Sequence, residues 1–306
     1  MKKFLQKYNL IIFIFLLSLI PVFWVGKGIV IAGGDDFIFL NPAAYFKISM
    51  WNSGAYINNF NVQITRMFPF GFFWWTLQEL GLQNPIIQKI WLFLMWFIAG
   101  LGITYLAKIF FPKKYKIVSL FAIPFYFFNP FNVFIPLTVA IRYTHTFLPF
   151  ALAFFAQGIK SASRQEQNIC AIGFGAAILL AAPTFANPAA ASLFFILPFL
   201  YFLFSLLFGK RSRIIKKIFF VLKTILVTLL FNIYWLWMFF YLFISPAAAK
   251  ATFGLGDIFR TSSVFEIFRT LGSWGFAKYP YAMQQMPYID NLRVILASYL
   301  LSLIHI

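Results

Sequence analysis

Long apolar runs separated by short basic breaks set the limits on what this chain can become. The first run reaches from Leu10 to about Ala32. Others cover about 86–111, 117–128, 146–158, 169–182, 190–208 and 219–244, and a last one, incomplete at 292–300, closes the series. The breaks are "PKKYK" at 112–116, Lys160 with Arg164, and "GKRSRIIKK" at 209–217. The longer runs match the roughly 20 apolar residues a helix needs to cross a bilayer, where every backbone polar group must be satisfied within the segment. At 62% hydrophobic and 10% charged, with mean hydropathy +0.84, the chain carries more apolar surface than a soluble domain buries. The expected fold is an all-α polytopic membrane bundle over residues 1–300.

Charge then sets the topology. The formal net charge is +18, and its Lys and Arg gather in the breaks between apolar runs. That pattern fits loops held in the cytoplasm beside anionic lipid, and not a nucleic-acid interface. Lys2, Lys3 and Lys7 ahead of the first run place the N-terminus inside, with the run as an uncleaved signal anchor of a multi-pass protein of the cytoplasmic membrane. Two aromatic, more polar stretches, about 33–85 and 245–291, then fall outside. Tyr45, Ile48 and Trp51 stand near helical spacing in the first, which predicts short interfacial helices there. The stretch from 127 to 145, interrupted by "FFNPFN", reads as an outer loop or re-entrant segment.

Of seven acids only Glu166 falls on the inside, and Asp35 and Asp36 stand side by side just beyond the first run. One cysteine, Cys170, excludes an internal disulfide, and the His and Cys content excludes a zinc cluster of usual spacing. The last six residues, "LSLIHI", read as an in-frame transposon-derived sequencing adaptor. Residues 301–306 are therefore expected to be foreign to a C-terminally truncated fragment, and His305 is set aside.

Residues 40–108 carry an ordered series. Pro42 and Trp51 come first, then an Asn/Gln-rich link from Asn58 to Gln63 and "FPFGFFW". A turn with Leu82 and Pro85 and then "QKIW" lead into the next run. This series resembles the N-terminal membrane region of α-(1→3)-arabinofuranosyltransferases of the GT-C superfamily. "FNIYWLWMFFYLF" at 231–243 and "SVFEIFRTLGSW" at 263–274 are similar as well. The resemblance implies an integral membrane glycosyltransferase. Such an enzyme takes a sugar from a polyprenyl-phosphate donor and passes it, outside the cytoplasm, to a cell-envelope glycan, lipid or protein acceptor.

The same resemblance puts an acid in the first outer loop, a position held here by Asp35 and Asp36. Transfer to a hydroxyl needs a base for its proton. Asp36 is the first candidate and Asp35 the second; a divalent cation, if one is used, would be held by either. The competing reading of the pair is as caps of an interfacial helix. A lipid phosphate calls for cations. Arg142, His145, Arg66 and Arg269 are the candidates, drawn from a wider outer set that includes Lys47, Arg260 and Arg293. Against them stand snorkelling for the arginines and backbone hydrogen bonding for His145. The aromatic groups at 72–75 and 234–241 read either as a polyprenyl groove or as packing. The alternative function is a non-catalytic or transport-type membrane protein, a lipid-linked glycan flippase, polymerase partner or scaffold. Acids confined to loops and the lack of an internal repeat weigh against transport.

Overall fold

The computed structural model describes residues 2–31, 41–47, 62–128, 138–209 and 214–244, and among them the chain is all-helical, with no strand. It divides into two compact units, Met1–Phe125 with Leu137–Ile244, and Tyr126–Pro136 with Ser245–Ile306. Of the second unit, only 126–128 is among the described residues.

The helices are α1 (Lys2–Leu19), α2 (Phe72–Glu79), α3 (Asn84–Phe110), α4 (Tyr115–Phe128), α5 (Val139–Lys160), α6 (Arg164–Leu180), α7 (Pro188–Leu207) and α8 (Ile214–Ile244). Short 3₁₀ segments cover Ile20–Trp24, Pro42–Lys47, Val62–Arg66 and Ala182–Ala186, and an irregular turn covers Met67–Gly71. Among the described residues three helices, α3, α5 and α7, are long and apolar enough to cross a membrane. In α5 72% of the most apolar window is buried, against 22% in α7, so α5 is the central helix and α7 a peripheral one. α7 and α8 expose large apolar residues along their length, Phe199, Phe204, Phe219, Leu222 and Leu230 among them. A continuous apolar face of that size needs an apolar solvent or a partner.

Two ends of the bundle can be told apart. α3 and α5 run parallel: Thr146 Oγ1 donates to the Met95 carbonyl at 3.1 Å, Tyr105 bonds Gln157, and Lys160 Nζ donates to the Ile109 carbonyl at 2.9 Å. α6 returns along α5, and α8 lies beside α6 in the same sense, with Lys223 on Asn168 low down and Gly175 against Val227 higher up. The turns after α3, α5 and α7 therefore share one end, with Lys108, Lys113, Lys114, Lys160, Arg164, Lys216 and Lys217. The opposite end gathers the 20–31 segment, the 3₁₀ pieces, α2 and the first turns of α3 and α5. Glycine lets the large rings of one helix sit against the backbone of the next. Phe150 lies over Gly102, Phe154 over Gly173 and Phe220 over Gly158.

Several boundaries differ from the sequence expectation. The run 10–32 is not one helix: it leaves α-geometry at Leu19, ahead of Pro21, and has left helical geometry altogether by Val25. Proline lacks the N–H that continuing the helix requires. Residues 139–145, read as part of an outer loop, are the first turns of α5, which replaces the run 146–158 by Val139–Lys160. Hydropathy missed them because Arg142, Tyr143, Thr144 and His145 are polar, yet all four are buried inside the helix bundle. Part of the first outer stretch is core: Phe70 and Trp74 are fully buried. Gly71 shows why that stretch packs so closely. A Cβ there would stand 2.5 Å from the Phe46 amide nitrogen and 2.7 Å from the Tyr45 carbonyl carbon. Gly71→Ala is therefore expected to cost about 1–3 kcal/mol, because backbone must move to admit the methyl. Denaturant unfolding in detergent checks it, with Gly81→Ala as a comparison that meets no atom within 4 Å but strains a positive φ of 84°.

The α5–α6 turn is a polar lock at the basic end. Ser163 caps α6, its Oγ accepting from the Glu166 amide at 3.4 Å. The Glu166 carboxylate accepts from Ser161 Oγ at 2.5 Å and from Gln157 Nε2 at 2.7 Å. These two donors hold the Glu166 carboxyl below the usual carboxylate range, by Ser161 first and Gln157 second. A depressed folded pKa contributes stability above the unfolded pKa and loses it as pH falls through the folded value. Wild type is accordingly expected to melt above Glu166→Gln at pH 7, with the gap closing below about pH 4. Thermal melts across that range read the result.

Candidate functional site

Four aromatic side chains form a fully buried cluster at the end opposite the basic turns. Phe70 lies 5.0 Å from Trp74, 6.2 Å from Trp91 and 6.4 Å from Tyr143, centroid to centroid. Trp91 in turn lies 5.9 Å from Trp74 and 6.3 Å from Tyr143. They come from the Met67–Gly71 turn, α2, α3 and α5, so the cluster ties the pieces between 62 and 84 onto the long helices.

Arg142 stands next to Tyr143 in the first turns of α5 and is 0% exposed. Its guanidinium carbon sits 4.8 Å from the centre of the Trp96 ring, a cation–π contact that is worth about 2 kcal/mol or more once water is excluded. Trp24 meets the same indole edge-on at 5.6 Å, and the His145 ring lies 6.4 Å from it. His145 is buried as well. Thr144 Oγ1 donates to Thr184 Oγ1 at 3.2 Å, which fixes the Ala182–Ala186 turn against α5.

Arg66, also buried, approaches from another element. It closes the 3₁₀ segment Val62–Arg66, which packs on the Ala182–Ala186 turn, and its guanidinium carbon lies 5.9 Å from the Tyr45 ring centre. Tyr45 in turn touches Phe70 at 6.3 Å. The Val62–Arg66 segment and α5 both pack on the Ala182–Ala186 turn, which puts Arg66 and Arg142 at the same end of the bundle. The structure thus brings together three of the sequence-predicted phosphate ligands, Arg142, His145 and Arg66. Asp35, Asp36 and Arg269 lie outside the described residues, as do Arg260 and Arg293. Lys47 ends the Pro42–Lys47 segment. Among the described residues no three His, Cys, Asp or Glu side chains come together as metal ligands.

Gln88 went unnoticed in the sequence. It is fully buried on α3, one turn before Trp91, and clamps the backbone of Ile31 through two bonds. Its Oε1 accepts from the Ile31 amide at 2.9 Å, and its Nε2 donates to the Ile31 carbonyl at 2.8 Å. A primary amide can bridge donor and acceptor of one residue in this way, as a neighbouring strand would. The signal was legible: an amide two residues inside a greasy run has to find a buried partner. Ile31 precedes Asp35 by four residues in the chain.

An apolar cavity of about 430 Å³ opens beside the cluster, between α2, α3, α5 and α6. Tyr143 and Phe147 of α5, Phe73 of α2, Pro69, Met95 and Leu180 are among its walls. Phe73 assigns one member of the aromatic group at 72–75 to this cavity, whereas Trp74 is core. In the group at 234–241 the first two residues pack, Trp237 is exposed, and the side chains of 238–241 lie outside the described residues. Tyr234 donates to the Phe68 carbonyl at 2.9 Å, and Trp235 lies tilted against Phe185 with ring centres 4.3 Å apart. Compared with protein-family models, curated proteins and solved structures, the chain finds no match in any of the three.

Proposed function

We propose that this chain is a polytopic membrane glycosyltransferase of the GT-C type. It would take a sugar from a polyprenyl-phosphate donor at the end of the bundle that carries Arg142. The observation that carries the reading is Arg142 itself. A fully buried guanidinium in a helix of membrane length is expensive to hold and marks a functional site by default. It belongs to an end that also supplies Arg66 and His145, and Tyr143, its neighbour in the chain, is one wall of a cavity otherwise lined by hydrocarbon. Cations next to an apolar cavity suit one molecule with a phosphate at the end of a long isoprenoid chain. The basic turns at the other end would remain in the cytoplasm, so that donor and acceptor meet outside.

The chemistry then assigns one task to each group. The acceptor hydroxyl oxygen attacks the anomeric carbon, and the bond from that carbon to the donor phosphate oxygen breaks. The electron pair leaves with the polyprenyl phosphate, whose added charge Arg142 and Arg66 stabilise. The acceptor proton passes to a carboxylate, for which Asp36 is proposed and Asp35 is the neighbour. The clamp of Gln88 on Ile31 supports this assignment, because it holds the chain that leads to the pair on the same face of α3 as Trp91. A transport role fits less well. Arg142 stands in the first turn of α5, whereas coupling groups in transporters lie near the bilayer midplane.

A photoreactive polyprenyl phosphate tests the donor site. Crosslinks are expected on Phe73, Phe147 or their neighbours, competed by unlabelled polyprenyl phosphate and about tenfold less by the phosphate-free polyprenol. Labelling that ignores the phosphate, or that avoids this cavity, would contradict the proposal.

A further inference from the structure

The basic end carries a second built site. α6 and α8 lie side by side there, joined by the Lys223 Nζ to Asn168 Oδ1 bond at 2.5 Å. Between their first turns is a groove of about 670 Å³. Its cations are Arg164 from α6 and Lys216 and Lys223 from α8; its apolar wall is Phe219, Leu222 and Leu226. No acid lines it. The one acid close by in sequence, Glu166, faces a different cleft with Tyr105 and Gln157, and is engaged there by Ser161 and Gln157. Among the described residues the groove's lining therefore carries positive charge and no carboxylate.

The residues are ordered along α8. Lys216 comes first, and Phe219, Leu222 and Leu226 follow at helical spacing over about 15 Å, with Lys223, held by Asn168, between the last two, so an apolar stripe runs on from the charged mouth. Those three apolar side chains are exposed, and Lys216 and Arg164 at the mouth are exposed too. A soluble anion would use the cations and leave the stripe bare. We infer that the groove binds an anionic phospholipid of the cytoplasmic leaflet. The phosphate sits between Arg164 and Lys216, and an acyl chain lies along Phe219, Leu222 and Leu226. Lys223, two turns further in and tethered to Asn168, adds its field to the wall. Basic pockets between membrane helices on this side recognise such headgroups. The inference needs the helices to span a bilayer but does not depend on sugar transfer.

The test uses the full chain in nanodiscs, with native mass spectrometry counting retained lipid. The probes are dioleoyl phosphatidylglycerol, dioleoyl phosphatidylcholine and inorganic phosphate. Phosphatidylglycerol is expected to be retained at least fivefold over phosphatidylcholine, and Lys216→Gln and Arg164→Gln to weaken its retention about fivefold each. Lys216→Arg should keep it, and Lys27→Gln, exposed in the 20–31 segment at the opposite end, should leave it unchanged. Equal retention of the two lipids, or no effect of either glutamine variant, would overturn the site. Displacement of phosphatidylglycerol by millimolar inorganic phosphate would also overturn it, by assigning the groove to a soluble anion.

Discussion

Asp36→Asn is expected to abolish sugar transfer, by about 10²–10⁴-fold, while the protein still inserts and folds. The amide has nearly the shape of the carboxylate but cannot accept the acceptor's proton, so the loss belongs in kcat, with donor binding kept. Asp35→Asn should cost far less, because adjacent side chains diverge along a chain and only one of them can face the reacting hydroxyl. Steady-state transfer from a defined polyprenyl-phosphate donor, with both variants in proteoliposomes, separates the two aspartates. A reduction shared equally by both would mean a paired role, such as holding a divalent cation.

Arg142→Lys should be nearly as damaging, by about a hundredfold, although it keeps the charge. The guanidinium carbon sits 4.8 Å from the centre of the Trp96 ring, and a planar, rigid fork held against an indole presents its donors in a fixed direction. A lysine ammonium at the same Cα would be a flexible point charge without that orientation. Donor affinity and kcat should fall together, since the leaving phosphate is bound in the ground state and gains charge in the transition state. Arg142→Met is the harsher variant, and its fold must be checked separately: Arg142 is fully buried beside His145, Trp96 and Tyr143, so the pocket itself can collapse. If Arg142→Lys instead retains full activity, the arginine is a packing element and the phosphate is held elsewhere.

The sequence was most informative where one physical effect dominates. Apolar length and basic breaks predict the helices, and α3, α4, α7 and α8 begin and end within a few residues of the runs they came from, apart from the early start of α8. Charge ordering predicts the two ends, because Lys and Arg between runs gather where α3, α5 and α7 terminate. It was least informative where tertiary packing overrides hydropathy. Arg142 to His145 are polar enough to read as loop, yet α5 carries them into the bundle because Trp96, Thr184 and the aromatic cluster wait for them there. Phe70 reads as interfacial, since aromatic composition alone does not separate a ring lying in headgroups from one buried among Trp91 and Tyr143; for Trp74 the packing reading holds. Gln88 could be anticipated as needing a partner, but no property of the sequence names Ile31, 57 residues away, as that partner. Of the proposed site, the cations were legible as types, and the structure alone sets the Val62–Arg66 segment and α5 against one turn, Ala182–Ala186.

The central claim is sugar transfer outside the cytoplasm from a lipid phosphate. The most direct measurement is release of polyprenyl phosphate, with matching gain of labelled sugar by an added acceptor glycan, from inside-out and right-side-out proteoliposomes of the full chain. Transfer is predicted only where the Arg142 end faces the donor and acceptor, and it should vanish in Asp36→Asn. Transfer that persists in Asp36→Asn, or that occurs at the basic end, would contradict the account; so would movement of intact donor across the bilayer with no sugar released.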